Sequence, residues 1–357
     1  MDVVSTVAVI GGGVIGLAVA WRAARAGWTV TVHDRAPGTG ASWVAGGMLA
    51  PLSEGWPGEE RVLDLGAASL QRWPALAHDL ERETGIDVFT AGASLTVALD
   101  AADAADLRTI ATWVAEQGHE MRILTRAEIR DLEPSLGPRI RLGLLAPTEL
   151  SVDNRRLVEA LHRAAVAAGV QFVQASVGDL DELSEDRVVL AAGSASARLW
   201  PDLPVRPVKG EILRLRVRPG ATPPPRHTVR GSVHGRPAYL VPRADGIVVG
   251  ATQYEAGDTE VTVAGVRDLI ADAEMLFPAI GEYELHEASA GLRPMTPDNL
   301  PLIGRLSDRV IAATGHGRNG ILLTAVTVDA VLAELADNPL AEVAHADPQR
   351  FAKESVR

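Results

Sequence analysis

Two kinds of residue in this 357-residue chain could do chemistry by type and spacing: glycines that can cradle a phosphate and arginines that can grip a carboxylate. Gly11-Gly12-Gly13-Val14-Ile15-Gly16 carries glycine at its first, third and sixth places. The first permits a tight turn, the second lets backbone approach a pyrophosphate, and the third lets a helix pack closely on a strand. A helix opening at Val14 and Ile15 would offer free N–H groups and a partial positive charge to the phosphates. Asp34 lies 18 residues after Gly16, where a carboxylate accepts hydrogen bonds from ribose hydroxyls, and Arg35 follows it at the same nucleotide end. Farther on, Ala290-Gly291-Leu292-Arg293-Pro294 and Gly315-His316-Gly317-Arg318-Asn319-Gly320-Ile321 each set an arginine among small residues. Arginine is the side chain that holds a carboxylate through two parallel donors.

The second glycine motif, Gly315 to Gly320, is formally another dinucleotide signature, but no further strand and acid complete a second unit. It reads instead as a helix N-terminus whose N–H groups at Asn319, Gly320, Ile321 and Leu322 face developing negative charge, as at an oxyanion site. His316 is an anchor of that loop. The chain's 9 histidines fall in no metal-ligand spacing, and cysteine is absent, so disulfides, thiolates and a cysteine-tethered cofactor are excluded.

These groups need elements to position them. Val7–Ile10, the alanine-rich stretch Leu17–Ala26 closed by Gly27, and Thr29–His33 read as a βαβ unit. Residues 61–83 and Ala101–Gln117 read as helices, the latter capped by Asp100, and Ser151–Asn154 caps a helix to Ala168. Ser94–Leu99, Leu142–Ala146, Val170–Val173, Val188–Ala192 and Val310–Thr314 read as strands, and Val263–Leu276 and Ile321–Leu335 as helices. Residues 205–218 alternate apolar and polar, which predicts an antiparallel strand with one wet face. Ala238–Pro242 and Gly246–Thr252 predict a hairpin. The fold class is α/β: a Rossmann-type nucleotide-binding domain from residues 1–84, 145–204 and 286–357, with an inserted α+β substrate domain on an antiparallel sheet from 85–144 and 205–285.

The balance of 46 acidic against 34 basic residues, net −12, disfavours a nucleic-acid partner. The longest apolar run, Val7–Trp21, carries four glycines and falls short of the roughly 20 residues of a membrane span. Without a positively charged leader at the N-terminus, the expected location is cytoplasmic.

Ser42-Trp43-Val44-Ala45-Gly46-Gly47-Met48-Leu49 is full of small residues where a nicotinamide-binding domain continues with a plain helix. This segment resembles the one that runs alongside the flavin ring in the D-amino acid oxidase and sarcosine oxidase family. The likeness continues through Val189–Gly193 and both arginine motifs, covering nearly all of residues 5–335, and the arginine motifs are most similar to the glycine-oxidising branch tied to thiamine biosynthesis. The resemblance implies non-covalent FAD held by Gly11, Gly13, Val14, Ile15, Gly16, Asp34 and Arg35, by Ser42, Gly46, Gly47 and Met48, by Val177, Ala192 and Gly193, and by His316 to Leu322. It implies that Arg293 and the hydroxyl of Tyr239 take the substrate carboxylate, that Arg318 adds positive charge, that Gln253 or Tyr254 lines the wall, and that Glu54 stands near the entrance. Lys209 receives no role. It further implies oxidative deamination of glycine to glyoxylate, ammonia and hydrogen peroxide, by hydride transfer without a dedicated base. Oxygen would be the acceptor, a thiazole synthase a candidate recipient of the imine, and a homotetramer the assembly. Sarcosine oxidase, D-amino acid oxidase and a dehydrogenase of the same fold are the alternatives.

Overall fold

The computed structural model describes residues 5–351; the outermost chain ends assigned above to the nucleotide-binding part lie outside them. Its strands are β1 Thr6–Ile10, β2 Thr29–His33, β3 Met48–Leu49, β4 Phe89–Ala98, β5 Arg122–Thr125, β6 Leu142–Val152, β7 Gln171–Val173 and β8 Arg187–Leu190. They continue with β9 Arg206–Arg216, β10 Thr228–Val233, β11 Arg236–Arg243, β12 Gly246–Gly250, β13 Glu284–Met295, β14 Leu302–Arg305 and β15 Val310–Thr314.

The β-branched run of β1 buries between two parallel neighbours, β2 and β8, in a six-stranded sheet of order β14-β15-β8-β1-β2-β7. Only β14 is antiparallel to its neighbour. The helices Val14–Arg25, Glu60–Thr84, Asn154–Ala167 and Thr324–Leu335 share one apolar core with this sheet, centred on Trp21, Trp73, Leu17 and Leu161. Asp153 caps the third of these helices, accepting from the N–H groups of Arg155 and Arg156.

The second sheet runs β13-β9-β12-β11-β10-β4-β6-β3, with β5 beside β6. All its pairs are antiparallel except β10 with β4. The helix Val263–Leu276 covers one face through Leu269, Ala273 and Leu276, packed with Leu213, Leu215 and Leu240. A small cluster of Val44, Ile212, Val241 and Val248 on the other face joins this sheet to the segment after the βαβ unit.

Three expectations change. Residues 145–152 and 286–295 hydrogen-bond into the larger sheet as parts of β6 and β13, so the domain boundaries drawn from sequence cut through two of its long strands. Strand β9 has no wet face over most of its length: residues 208–213 are all buried. Its side with Glu211, Leu213 and Leu215 meets the helix and its capping residue Thr262, and its other side, with Gly210, Ile212 and Arg214, is covered by the nucleotide-binding part. The last long helix begins at Thr324, because Gly317–Asn319 form a 3₁₀ turn and residues 320–323 a further turn. Among the described residues, no helix is long and apolar enough to cross a membrane.

Candidate functional site

A cavity of about 880 Å³ opens where the C-terminal ends of β1, β2, β8 and β15 meet the face of β9–β13. At the βαβ end it is lined by Gly11, Gly13, Val14, Ile15, Asp34 and Arg35, with Val177, Ala192 and Gly193 across from them. Gly11 has φ +109°, and a side chain there would lie 2.4 Å from the Ala191 carbonyl. Gly16 does not line the cavity: a Cβ there would fall 1.8 Å from the Gly11 carbonyl, so its part is the close packing of helix on turn. Ser42 Oγ accepts from the Val14 N–H at 3.0 Å, capping one of the helix's free donors. Asp34 accepts from the Gly12 N–H at 2.6 Å and the Ala36 N–H at 2.8 Å, each oxygen keeping lone-pair capacity for another donor.

The middle of the cavity is walled by Ser42, Gly46, Gly47 and Met48 on one side and by His316, Gly317, Gly320 and Ile321 on another. Among the described residues, the N–H groups of Gly320, Ile321 and Leu322 have no protein acceptor. Asn319 departs from the expectation, since its N–H donates to the His316 carbonyl at 3.0 Å and its side chain is buried off the cavity wall. The Leu322 side chain is likewise off the wall, in the core, and its carbonyl is taken by Ser69 and Trp73. His316 Nε2 lies 2.9 Å from Thr327 Oγ1, and burial holds its pKa down at about 3, so the imidazole is a neutral loop anchor.

Toward the far end stand Arg293, Tyr239, Gln253, Glu54 and Arg318. Arg293 lies over Gly210, where a Cβ would come 2.3 Å from its guanidinium, and donates to the Thr252 carbonyl at 3.2 Å. No carboxylate lies within ion-pair distance of it among the described residues. Tyr239 sits between Gly46 and Gly250; side chains at those glycines would reach its ring or hydroxyl at 3.0 Å and 2.3 Å. Burial pushes its phenol up, with the nearby Arg293 charge opposing, so it remains a neutral donor. Gln253 lines the wall, whereas Tyr254 pairs with Lys209 in an isolated backbone bridge away from it. Lys209 is buried against Asp258 at 2.5 Å and does not line the cavity. Arg318 is already engaged: its guanidinium donates to Glu59 at 2.6 Å and to the Glu54 carbonyl at 3.4 Å. It ties down the entrance loop and is not a free carboxylate grip.

Sequence reasoning missed Arg230, Arg243 and Glu149. Arg230 lies directly opposite Tyr239 across β10 and β11, and its guanidinium is 2.5 Å from Glu54. Glu149, buried on β6, accepts from the N–H groups of Leu52 and Ser53 and from Ser53 Oγ, which fixes the loop carrying Glu54. Burial pushes the Glu149 carboxyl up. Only the Tyr239-Leu240-Val241-Pro242-Arg243 run carried a signal: alternation along a strand puts Arg243 on the same face as Tyr239.

The residues fit FAD. A side chain at Gly11 would overlap the Ala191 carbonyl at 2.4 Å, and one at Gly13 would crowd Ser42 Oγ at 3.0 Å, which leaves a bare backbone cradle for a pyrophosphate. Unclaimed N–H groups at Gly320–Leu322 suit a ring that takes on negative charge. Groups of three or more His, Cys, Asp or Glu that could hold a metal are absent among the described residues.

Fold and site together define a dinucleotide-binding oxidoreductase with a second domain closing over the reactive end. A family model described as FAD dependent oxidoreductase (DAO) matches residues 6–335, and the chain belongs to that family, with FAD as its cofactor. The bifunctional protein ThiO/ThiG of Synechocystis sp. is 35% identical over 98% of this chain and 55% of that protein, so the chain spans about half the length of such relatives. Glycine oxidase of Geobacillus kaustophilus is 32% identical over 90% of each chain. A crystal structure of glycine oxidase from Geobacillus kaustophilus superposes with a TM-score of 0.88 at 31% identity, covering 96% of this chain and 98% of that one.

Proposed function

We propose that this enzyme oxidises glycine at its α-carbon, giving an imine that hydrolyses to glyoxylate and ammonia. When bound, FAD would supply the two-electron acceptor for the α-hydride, with oxygen as the final acceptor and hydrogen peroxide as its product. The observation that carries the reading is Arg293: a guanidinium lodged in the cavity with no acidic partner among the described residues, beside a neutral tyrosine hydroxyl that is itself without a partner there. Two such donors suit a carboxylate. The wall between them is shaped by Gly46 and Gly210, and the entrance is narrowed by the paired Glu54 and Arg230, which favours a small amino acid.

The chain's own work is orientation. Arg293 and Tyr239 hold the acid group so that the α-carbon faces the Gly46–Gly47 side of the cavity. Reaction begins from the neutral amine, whose lone pair drives the hydride away. Among the described residues, no histidine or free carboxylate beside Arg293 and Tyr239 is placed as a base: His316 is tied to Thr327 and Glu54 to Arg230, while His33 and Asp34 lie at the βαβ end. Fusion of relatives to a ThiG segment supports a thiazole synthase as recipient of the imine. A homotetramer in the cytoplasm completes the proposal.

Anaerobic addition of glycine should bleach the flavin absorbance, and bleach it faster than sarcosine or D-alanine does. A stronger response to either of those amines would move the assignment to sarcosine or D-amino acid oxidation; no response to any amine would overturn it. Arg293→Ala is expected to lower kcat/KM for glycine on the order of 100-fold, from the loss of a two-point charged contact. Unchanged turnover would remove Arg293 from the site.

A further inference from the structure

The segment that runs along the middle of the cavity has its carbonyl groups claimed from behind. Asn154 Nδ2 donates to the carbonyls of Ser42 at 2.8 Å and Trp43 at 2.9 Å, and Arg155 Nε reaches Trp43 at 3.3 Å. Val152 donates its N–H to the Gly47 carbonyl at 2.8 Å. Arg243 Nη2 donates to the Gly46 carbonyl at 2.7 Å. Arg243 is 7% exposed, and its other contacts are its neighbour Pro242's carbonyl at 3.0 Å, Asn154 Oδ1 at 3.5 Å and Asp153 at 3.6 Å. Its Nε has no hydrogen-bond partner among the described residues.

A buried cation is costly unless it does something apolar packing could not. Here the geometry supplies the reason. In a trans peptide the C=O of Gly46 and the N–H of Gly47 point in opposite directions. With the Gly46 oxygen drawn back to Arg243, the Gly47 N–H is turned away from it, toward the cavity that Gly47 lines. That N–H has no acceptor among the described residues. Gly47 has φ +83°, and a Cβ there would lie 2.0 Å from the Val152 carbonyl, so only glycine fits at this point.

We propose that Arg243 is a positioning residue for the flavin ring: it holds the Gly46 carbonyl so that the Gly47 N–H meets the ring edge, and it places a buried positive charge behind that contact. The inference rests on FAD binding by this family and not on glycine as the substrate. Burial holds the Arg243 pKa down at about 10, so the guanidinium is charged throughout the neutral range. A fixed donor and a cation on one side of the ring favour the reduced, more negative form over the oxidised one. Both effects should appear in the flavin itself, before any substrate is added.

The test is a reductive titration of the FAD-loaded enzyme with dithionite against a redox dye, with the absorbance spectrum recorded alongside. Arg243→Met is expected to weaken binding of reduced relative to oxidised FAD at least tenfold, which for a two-electron couple lowers the potential by about 30 mV. Its visible bands should shift, and Arg243→Lys, which restores the charge, should recover part of the potential. Should Arg243→Met fail to fold, Arg243→Gln, neutral but still a donor, replaces it and is expected to lose the charge-dependent part. A folded, FAD-loaded Arg243→Met or Arg243→Gln with the wild-type potential and spectrum would overturn the proposal, leaving Arg243 a strut only. Because no amine enters the titration, this result is independent of which amine the enzyme prefers.

Discussion

Three arginines reach the cavity's far end, and what each touches separates their roles. Arg230 is neutralised by Glu54 and Arg318 by Glu59, while Arg293 bonds only a backbone carbonyl among the described residues. An unpaired guanidinium that is partly buried is poised for an anion from outside. His316 shows the opposite adaptation. Its pKa falls from 6.5 to about 3 because burial opposes the charge. The unfolded chain therefore binds a proton on acidification that the folded chain refuses. The group costs no stability above pH 6.5, and stability is lost as the pH falls below that value toward 3. At pH 5 the loss is about 2 kcal/mol. His316→Gln should retain a hydrogen bond to Thr327 and lose less stability between pH 7 and pH 5 than the wild type, read by urea unfolding at both. An identical decline in the two proteins would mean that His316 titrates normally.

At the scale of elements, β9 and β13 matter most. Their long antiparallel pairing sets Gly210 opposite Gly291 and Arg293 opposite Val208, so Gly210 and Arg293 share the cavity-facing side. Gly210 leaves the space in which the guanidinium lies. In Gly210→Ala the new methyl group meets the far end of a flexible side chain, which can move aside. Stability should change little, while the KM for glycine rises about 10- to 100-fold, the worth of a charged hydrogen bond. Steady-state kinetics paired with a melting curve would check this; an unaltered KM would show that Arg293 does not need that position.

Taken whole, the molecule has separate apolar cores for its two sheets and one cavity that both sheets line. A ligand seated there binds the folded chain alone and so stabilises it by mass action. Free FAD at a hundred times its dissociation constant should add about 2.7 kcal/mol. The melting temperature should climb with added FAD, and hydrogen exchange should slow in both sheets together. Protection confined to the six-stranded sheet would mean that the second domain does not close on the cofactor.

The glycine spacing, the acid at the end of β2 and the caps at Asp100 and Asp153 were legible in the sequence because each is local: turn, helix start and strand end lie within a few residues of one another. The two arginine motifs were legible as candidates, since arginine among small residues is a local pattern too. That Arg318 is held by an acid while Arg293 is not was illegible, because Glu59 reaches Arg318 from more than 250 positions away. Strand β9 reads as half-wet for the same reason: its polar side chains are covered by chain far off in sequence, with Arg214 bonded to Asn154. Local spacing determined where a nucleotide could bind; only the packing of two sheets decided which charge stays free to meet a substrate, because a charge's partner is chosen by distance in space.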